Sequence, residues 1–243
     1  MALQIDWYSY WETQWYDARK AYEQMHSVIV ENIPADRDTP LRVMDVGGGS
    51  GTLIRRILET FPNSTAVYVD KLAYPELKKE VVEQMLGKLA GKVTFLWNDF
   101  GAEGWDAKIK DPLDVVVSNR AIHHLEDAGK QRLYRQIFAH LREGGIFILG
   151  EEVKIRSERW IGAFQNHRLE SARRAHRRQE EFAKEAALIR GMYHRIYREP
   201  EKSANKWAFL DQQLQWLIDA GFADIQTLWQ CYDNVVIGAF RPK

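Results

Sequence analysis

From Leu41 to Leu149 the chain alternates short apolar, β-branched runs with stretches in which apolar residues recur every three or four positions. Leu41–Val46, Ala66–Asp70, Val93–Trp97, Leu113–Ser118 and Ile146–Leu149 read as strands. Thr52–Phe61 reads as a helix, with Leu53, Ile54, Ile57, Leu58 and Phe61 on one face and Pro62-Asn63 as its stop. Glu76–Leu89 and Gln131–Leu141 are the next helices, the second ending before Gly144-Gly145. Strands that are apolar almost throughout, each followed by a helix, predict a parallel sheet covered on both faces.

The pattern changes after residue 150. Phe209–Ala220 reads as a helix with Leu210, Leu214, Leu217 and Ile218 inward and Gly221 at its C-cap. Ile225–Gln230 and Asn234–Phe240 are strands too close together for a crossover helix, so they predict an antiparallel hairpin and one reversed strand. Residues 155–207 form a helical insertion between the fifth strand and the last helix. Lys154–Lys206 holds 14 basic and 7 acidic residues. Arg173, Arg174, Arg177 and Arg178 have the spacing of one helical face, either a solvated face or an anion-attracting surface. Near the N-terminus Trp7, Trp11 and Trp15 fall at helical spacing, which predicts a helical cap over residues 1–38.

Composition narrows the class. A chain of 243 residues suits one domain with a large insertion, and 45% hydrophobic against 28% charged residues is globular. Lys+Arg 34 balances Asp+Glu 34, which excludes a uniformly basic nucleic-acid binder but leaves room for RNA at the basic insertion. Cys231 is the only cysteine, so neither an internal disulfide nor a cysteine-based metal site is expected; His167, His176 and His194 read as structural, and no metal is expected. No run of 18 apolar residues occurs, and the first residues lack a basic start and an apolar core. No membrane contact and a cytoplasmic location are the expectations.

The chemistry begins at Asp45-Val46-Gly47-Gly48-Gly49-Ser50-Gly51-Thr52, the first strand–helix junction. Glycines there let the backbone turn sharply and approach a ligand, and the helix beyond offers free N–H groups. The spacing D-x-G-x-G-x-G departs from the dinucleotide G-x-G-x-x-G, because Thr52 stands at the sixth position counted from Gly47. Asp70 ends the second strand, where a carboxylate can accept bonds from a ribose diol. Asp99 and Phe100 end the third, where they can meet an exocyclic amine and a purine face. Glu151 and Glu152 end the fifth, either facing a substrate cavity or facing solvent.

These residues resemble the motifs of class I S-adenosylmethionine-dependent methyltransferases. The likeness runs through Val43–Gly51, Tyr68–Asp70, Asn98–Phe100, Asp114–Asn119, Ala121–Leu125 and Leu141–Phe147. It implies a doubly wound α/β fold, a seven-stranded mostly parallel sheet of order 3-2-1-4-5-7-6 with strand 7 antiparallel. It implies S-adenosylmethionine as cofactor and S-adenosyl-L-homocysteine as product. Asp45, Gly47 and Gly49 would border the amino-acid part of the cofactor, Asp70 the ribose, Asp99 and Phe100 the adenine, and Asn119 the methionine end. Trp15-Tyr16-Asp17 is similar to the helix that closes over the cofactor in relatives, which points to Tyr16.

Ser118-Asn119-Arg120-Ala121 lacks the Asn/Asp-Pro-Pro-aromatic motif of base-amino and glutamine methyltransferases, and Ile122–Asp127 is similar to small-molecule enzymes. A small-molecule acceptor is therefore expected, with in-line attack on the sulfonium methyl. His123, His124 and Glu151 are the catalytic candidates; an imidazole at His123 can take a hydroxyl proton, or the two histidines can cap and pack the next helix. The insertion, read as a lid, and the segment Leu228–Tyr232 also resemble carboxy-S-adenosylmethionine synthases linked to tRNA modification. Those enzymes carry an Arg where this chain has Trp216, which favours plain S-adenosylmethionine. A catalytically silent cofactor-binding scaffold and a homodimer are the remaining alternatives.

Overall fold

The computed structural model describes the backbone of residues 16–71 and 79–243. The aromatic residues from Trp7 to Trp15 lie outside the described residues, and so does the side chain of Tyr16. Seven strands form one sheet in the order β3-β2-β1-β4-β5-β7-β6. They are β1 (Arg42–Val46), β2 (Thr65–Val69), β3 (Val93–Leu96), β4 (Leu113–Asn119), β5 (Leu141–Glu152), β6 (Ala223–Cys231) and β7 (Asn234–Phe240). The first five run parallel, and β7 is antiparallel to both β5 and β6. The parallel sheet expected from the strand–helix rhythm and the strand order implied by the resemblance are those observed.

Among the described residues the helices are α1 (Tyr16–Glu31), α2 (Thr52–Thr60), α3 (Lys79–Leu86), α4 (Asp127–His140), α5 (Glu158–Ala175), α6 (Gln179–Arg198) and α7 (Leu210–Asp219). Consecutive β1 residues serve opposite layers, as a strand's period of two requires. Val43 joins Met25 and Ile29 of α1, Leu53, Ile54, Ile57 and Leu58 of α2 and Val82 of α3. Met44 joins Leu133, Tyr134 and Ile137 of α4 and Leu217 of α7. No described helix is long and apolar enough to cross a membrane.

Three expectations need correction. First, α4 starts at Asp127 rather than Gln131, and β5 follows it at Leu141, five residues before the expected start. The early pairing Leu113↔Leu141 holds this extra length, with a register shift before Val115 that takes up Gly144-Gly145. Second, Ile218 is 54% exposed and Trp216 is buried instead. Trp216 turns toward Lys130, so the buried face of α7 is rotated from the one its aliphatic residues mark. Third, the four arginines do not share a helical face. α5 ends at Ala175 and α6 begins at Gln179, so Arg173 and Arg174 close one helix and Arg177 and Arg178 lie in the turn, all exposed. The break is held by His176, which pairs with Glu181 and Glu185 of α6.

The insertion is thus a helical hairpin with its own small core of Ala172, Ile189 and Tyr193. It is attached to the sheet by ring contacts of Phe164 and His167 with Tyr232 and by a buried ionic network. Arg168 of α5, almost fully buried, donates to Glu152 at 2.9 Å and to Asp233 at 2.7 Å. Tyr193 of α6 donates to Asp233 at 2.7 Å, and Arg120 donates to Glu152 at 3.0 Å. Burial alone would raise the Glu152 carboxyl; Arg120 and Arg168 overcome it and hold the group at about 2. The stabilisation is therefore present above the ordinary carboxylate range and lost as pH falls toward 2.

Removing one partner from a buried ion pair strands the other charge, which costs about 3–5 kcal/mol. Arg168→Ala is expected to lower unfolding stability at pH 7 by that amount, measured by urea denaturation. A loss under about 1 kcal/mol would mean that the network does not anchor the hairpin.

Candidate active site

In a parallel sheet the carboxyl ends of the strands share one edge, and five of them deliver the residues singled out above. The turn after β1 is built on positive φ at Gly47 (76°), Gly49 (51°) and Gly51 (79°). The N–H groups of Gly47 and Gly48 donate to the Val69 carbonyl at 2.8 and 3.2 Å. A Cβ on Gly47 would stand 2.2 Å from that of Ala121, and one on Gly48 2.4 Å from the Tyr68 ring. At Gly49 a Cβ would meet nothing within 4 Å, so the turn presents open space there. Asp70 accepts the Gly49 N–H at 2.9 Å, and the Tyr68 hydroxyl donates to the Gly49 carbonyl, so the turn is clamped from β2.

Two buried polar groups at this edge lack partners among the described residues. Asn119, 7% exposed, has neither its amide nitrogen nor its oxygen bonded. Asp45, 1% exposed, has one carboxylate oxygen unpaired. Burial pushes the Asp45 carboxyl up to about 8, with the Asp70 charge adding to it and the Ile54 N–H opposing. Unsatisfied buried groups are rare because each costs about 1–3 kcal/mol. Their convergence beside an open glycine turn marks a place for a polar ligand.

Asp99 and Phe100 sit differently. Asp99 is held by Lys71 at 2.9 Å and by the Gly101 N–H at 2.8 Å. Burial would raise its carboxyl, but these two donors win and lower it. Phe100 is buried in the core behind Gly47, with a ring atom 3.4 Å from where a Gly47 Cβ would stand. Its face is a packing face in this conformation.

A second cluster lies at the ends of β4 and β5. Glu151 and Glu152 are both buried, so the solvent-facing alternative fails. The Glu151 carboxylate accepts three N–H groups: His123 Nδ1 at 2.7 Å, the His123 backbone at 3.1 Å and the Glu152 backbone at 3.2 Å. In a neutral ring, an acceptor at Nδ1 places the proton there and leaves the lone pair on Nε2. His124, one residue on, is exposed, and its Nδ1 reaches the Ala204 carbonyl at 3.3 Å. The structure therefore brings His123 and Glu151 together and leaves His124 outside the pair.

Sequence reading missed several neighbours. Arg120 follows Asn119 with φ +53°, a conformation rarely adopted by a side chain of its size, and reaches Glu152. His26 of α1 is fully buried with neither ring nitrogen bonded; burial and then Arg56 push it down to about 3, so it stays neutral. Its ring lies 4.2 Å from that of Tyr22. Neither α1 residue has a motif signal, because helix spacing alone reads them as packing.

Residues 44–147 match the family model described as a methyltransferase domain. An uncharacterized methyltransferase from Oceanobacillus iheyensis is 29% identical over 131 residues, covering 54% of this chain and 53% of the relative. The chain thus spans about half the length of that curated relative. Among solved structures, an O-methyltransferase family protein from Burkholderia thailandensis aligns with TM-score 0.63 at 14% identity, over 93% of this chain and 61% of its own. Human N-acetylserotonin methyltransferase in complex with S-adenosylmethionine aligns with TM-score 0.55 at 14% identity, over 93% and 55%. The family match covers residues 44–147, less than half of this chain, and the solved methyltransferases share its fold.

The raised Asp45 carboxyl has a thermodynamic consequence. A group whose folded-state value exceeds its unfolded one favours folding below the ordinary carboxylate range, and that advantage is lost as pH rises through about 8. Asp45→Asn removes the titration. The ligand-free variant is expected to gain stability over the native chain as pH goes from 5 to 8, read from urea midpoints at each pH. A difference that stays constant with pH would show that Asp45 is not protonated in the fold.

Proposed function

We propose that this chain is an S-adenosylmethionine-dependent methyltransferase that methylates a hydroxyl group of a small-molecule acceptor. The observation that carries the reading is the buried His123–Glu151 pair, set two strands from the glycine turn and four residues beyond the unpartnered Asn119. A carboxylate behind Nδ1 orients the imidazole and stabilises the cation formed when Nε2 takes a proton, which suits general-base work on a hydroxyl. That one of the aligned structures is named as an O-methyltransferase family protein supports the same acceptor class.

The residues present fit the cofactor. The space at Gly49 admits a ligand against the backbone, and the N-terminus of α2 beyond it favours a carboxylate. The unpaired Asp45 oxygen and the Asn119 amide suit an ammonium and the sulfonium side of the same molecule. Asp70, already on the Gly49 N–H, would take the ribose diol, and Asp99 the adenine amine in exchange for Lys71. Bound S-adenosylmethionine supplies an electrophilic methyl for in-line displacement and leaves as S-adenosylhomocysteine. The chain's part is to hold the acceptor in line, keep water out and accept the hydroxyl proton at His123 Nε2. The helical hairpin of residues 155–207 serves as a wall of the acceptor cavity and, being docked through Arg168, as a fixed one.

The test is methyl transfer from labelled S-adenosylmethionine to a panel of phenols, catechols and aliphatic alcohols. Once an acceptor is found, His123→Ala is expected to cut turnover by roughly two to four orders of magnitude with S-adenosylhomocysteine affinity unchanged. Asp70→Ala is expected to do the reverse, weakening calorimetric binding by about 1.5–3 kcal/mol. Full turnover in the His123 variant would remove the base, and transfer only to amines or thiols would remove the hydroxyl acceptor.

A further inference from the structure

Glu151 is wholly buried, and buried carboxylates need compensation from donors or from a cation. Within electrostatic reach of it lies a second buried ionisable group that the proposed reaction does not use. Lys130 of α4 has a relative exposure of 0%. Its ammonium donates to Asp127 at 3.1 Å and to the backbone carbonyl of Lys206, and it lies 5.9 Å from the Trp216 ring. The peptide of Lys206 continues the chain of contacts, since its N–H donates to the His123 carbonyl at 2.6 Å. One ammonium thus grips the strand of backbone that holds His123 in place. Around it the core is unusually polar. Tyr134 donates to Gln213, while Gln213 Nε2 and Trp207 Nε1 are buried without partners.

We propose that Lys130 is a positioning residue for His123, fixing its turn through the Lys206 peptide and setting, by its positive charge, the protonation of the His123–Glu151 pair. The inference rests on reading that pair as the base. Burial of the Lys130 ammonium is unfavourable and lowers its proton affinity, with Asp127 and then Glu151 pulling the other way. Two roles for one buried cation account for a cost that packing alone would avoid with a methionine or leucine. The ionisable groups near His123 are Glu151 and Glu152 on β5 and the neighbouring His124 ring; Lys206 meets it only through its peptide N–H, its ammonium being paired with Glu126, and Arg120 is paired with Glu152. Asp127 stands behind Lys130 at the surface, with half of its side chain exposed.

The charge makes a signed forecast for two substitutions. Lys130→Met keeps the volume and removes the cation, so proton uptake by His123 becomes easier. Asp127→Asn leaves the cation with its opposing charge removed, so uptake becomes harder. Imidazole NMR titration of the full chain, with His123 assigned by its loss in His123→Gln, reads the midpoint without any acceptor. The midpoint is expected to rise by roughly half a pH unit or more in Lys130→Met and to fall by a smaller amount in Asp127→Asn. S-adenosylhomocysteine affinity should stay within about twofold in both, because the glycine turn is separate. A merely structural lysine moves neither midpoint, or moves both in the same direction, and either result overturns the proposal. Should Lys130→Met fail to fold, Lys130→Gln, which can still donate to the Lys206 carbonyl, replaces it: a rise supports the proposal and an unmoved midpoint overturns it. The midpoint is independent of turnover, so a failure here is distinct from a failure of the proposed reaction.

Discussion

The close approach of β4 and β5 at their carboxyl ends governs the rest of this edge. The pairing of Asn119 with Gly150 brings the Asn119 side chain so near the β5 backbone that a Cβ at 150 would stand 2.3 Å from its oxygen. A side chain at 150 would have to displace the Asn119 amide, so glycine keeps it where it is. With that contact made, the next two residues of β5 arrive beside the turn that follows β4. Glu151 then meets His123, and Glu152 meets Arg120. The same constraint recurs one strand over, where Gly47 lies against Ala121. Two glycines thus let three strand ends pack closely enough for their side chains to interact.

The buried acids of this edge are neutralised in different ways, and the differences locate the chemistry. Glu152 and Asp233 share the guanidinium of Arg168, a closed arrangement that holds the insertion to the sheet. Glu151 is met by three N–H groups, one of them the Nδ1–H of His123. Asp45 has no cation partner among the described residues, and burial pushes its carboxyl up to about 8.

The charge asymmetry of the insertion resolves into two unrelated features. Arg168 points inward and is structural. Arg173, Arg174, Arg177 and Arg178 are exposed about the tip of the hairpin, because the helix breaks at His176 where periodicity would have carried it on. Net charge over a segment cannot separate these cases, since a buried arginine and a solvated one count alike.

The order of elements was legible because apolar runs and helical spacing report which faces are buried, and a parallel α/β sheet buries nearly every strand residue. The glycine turn, Asp70 and Asn119 were legible because backbone turns and strand ends fix their positions from the chain itself. What only the tertiary structure decided are contacts between residues far apart in sequence. Glu151 and His123 are 28 residues apart, and Lys130 reaches a carbonyl 76 residues away. No local pattern encodes such a meeting, because it depends on where two strands stop and how closely they pack. The sequence determined which polar residues stand at the strand ends; packing decided that Phe100 turns its ring into the core, that Asp99 is taken by Lys71, and that one histidine of the pair is buried against a carboxylate while the other faces solvent.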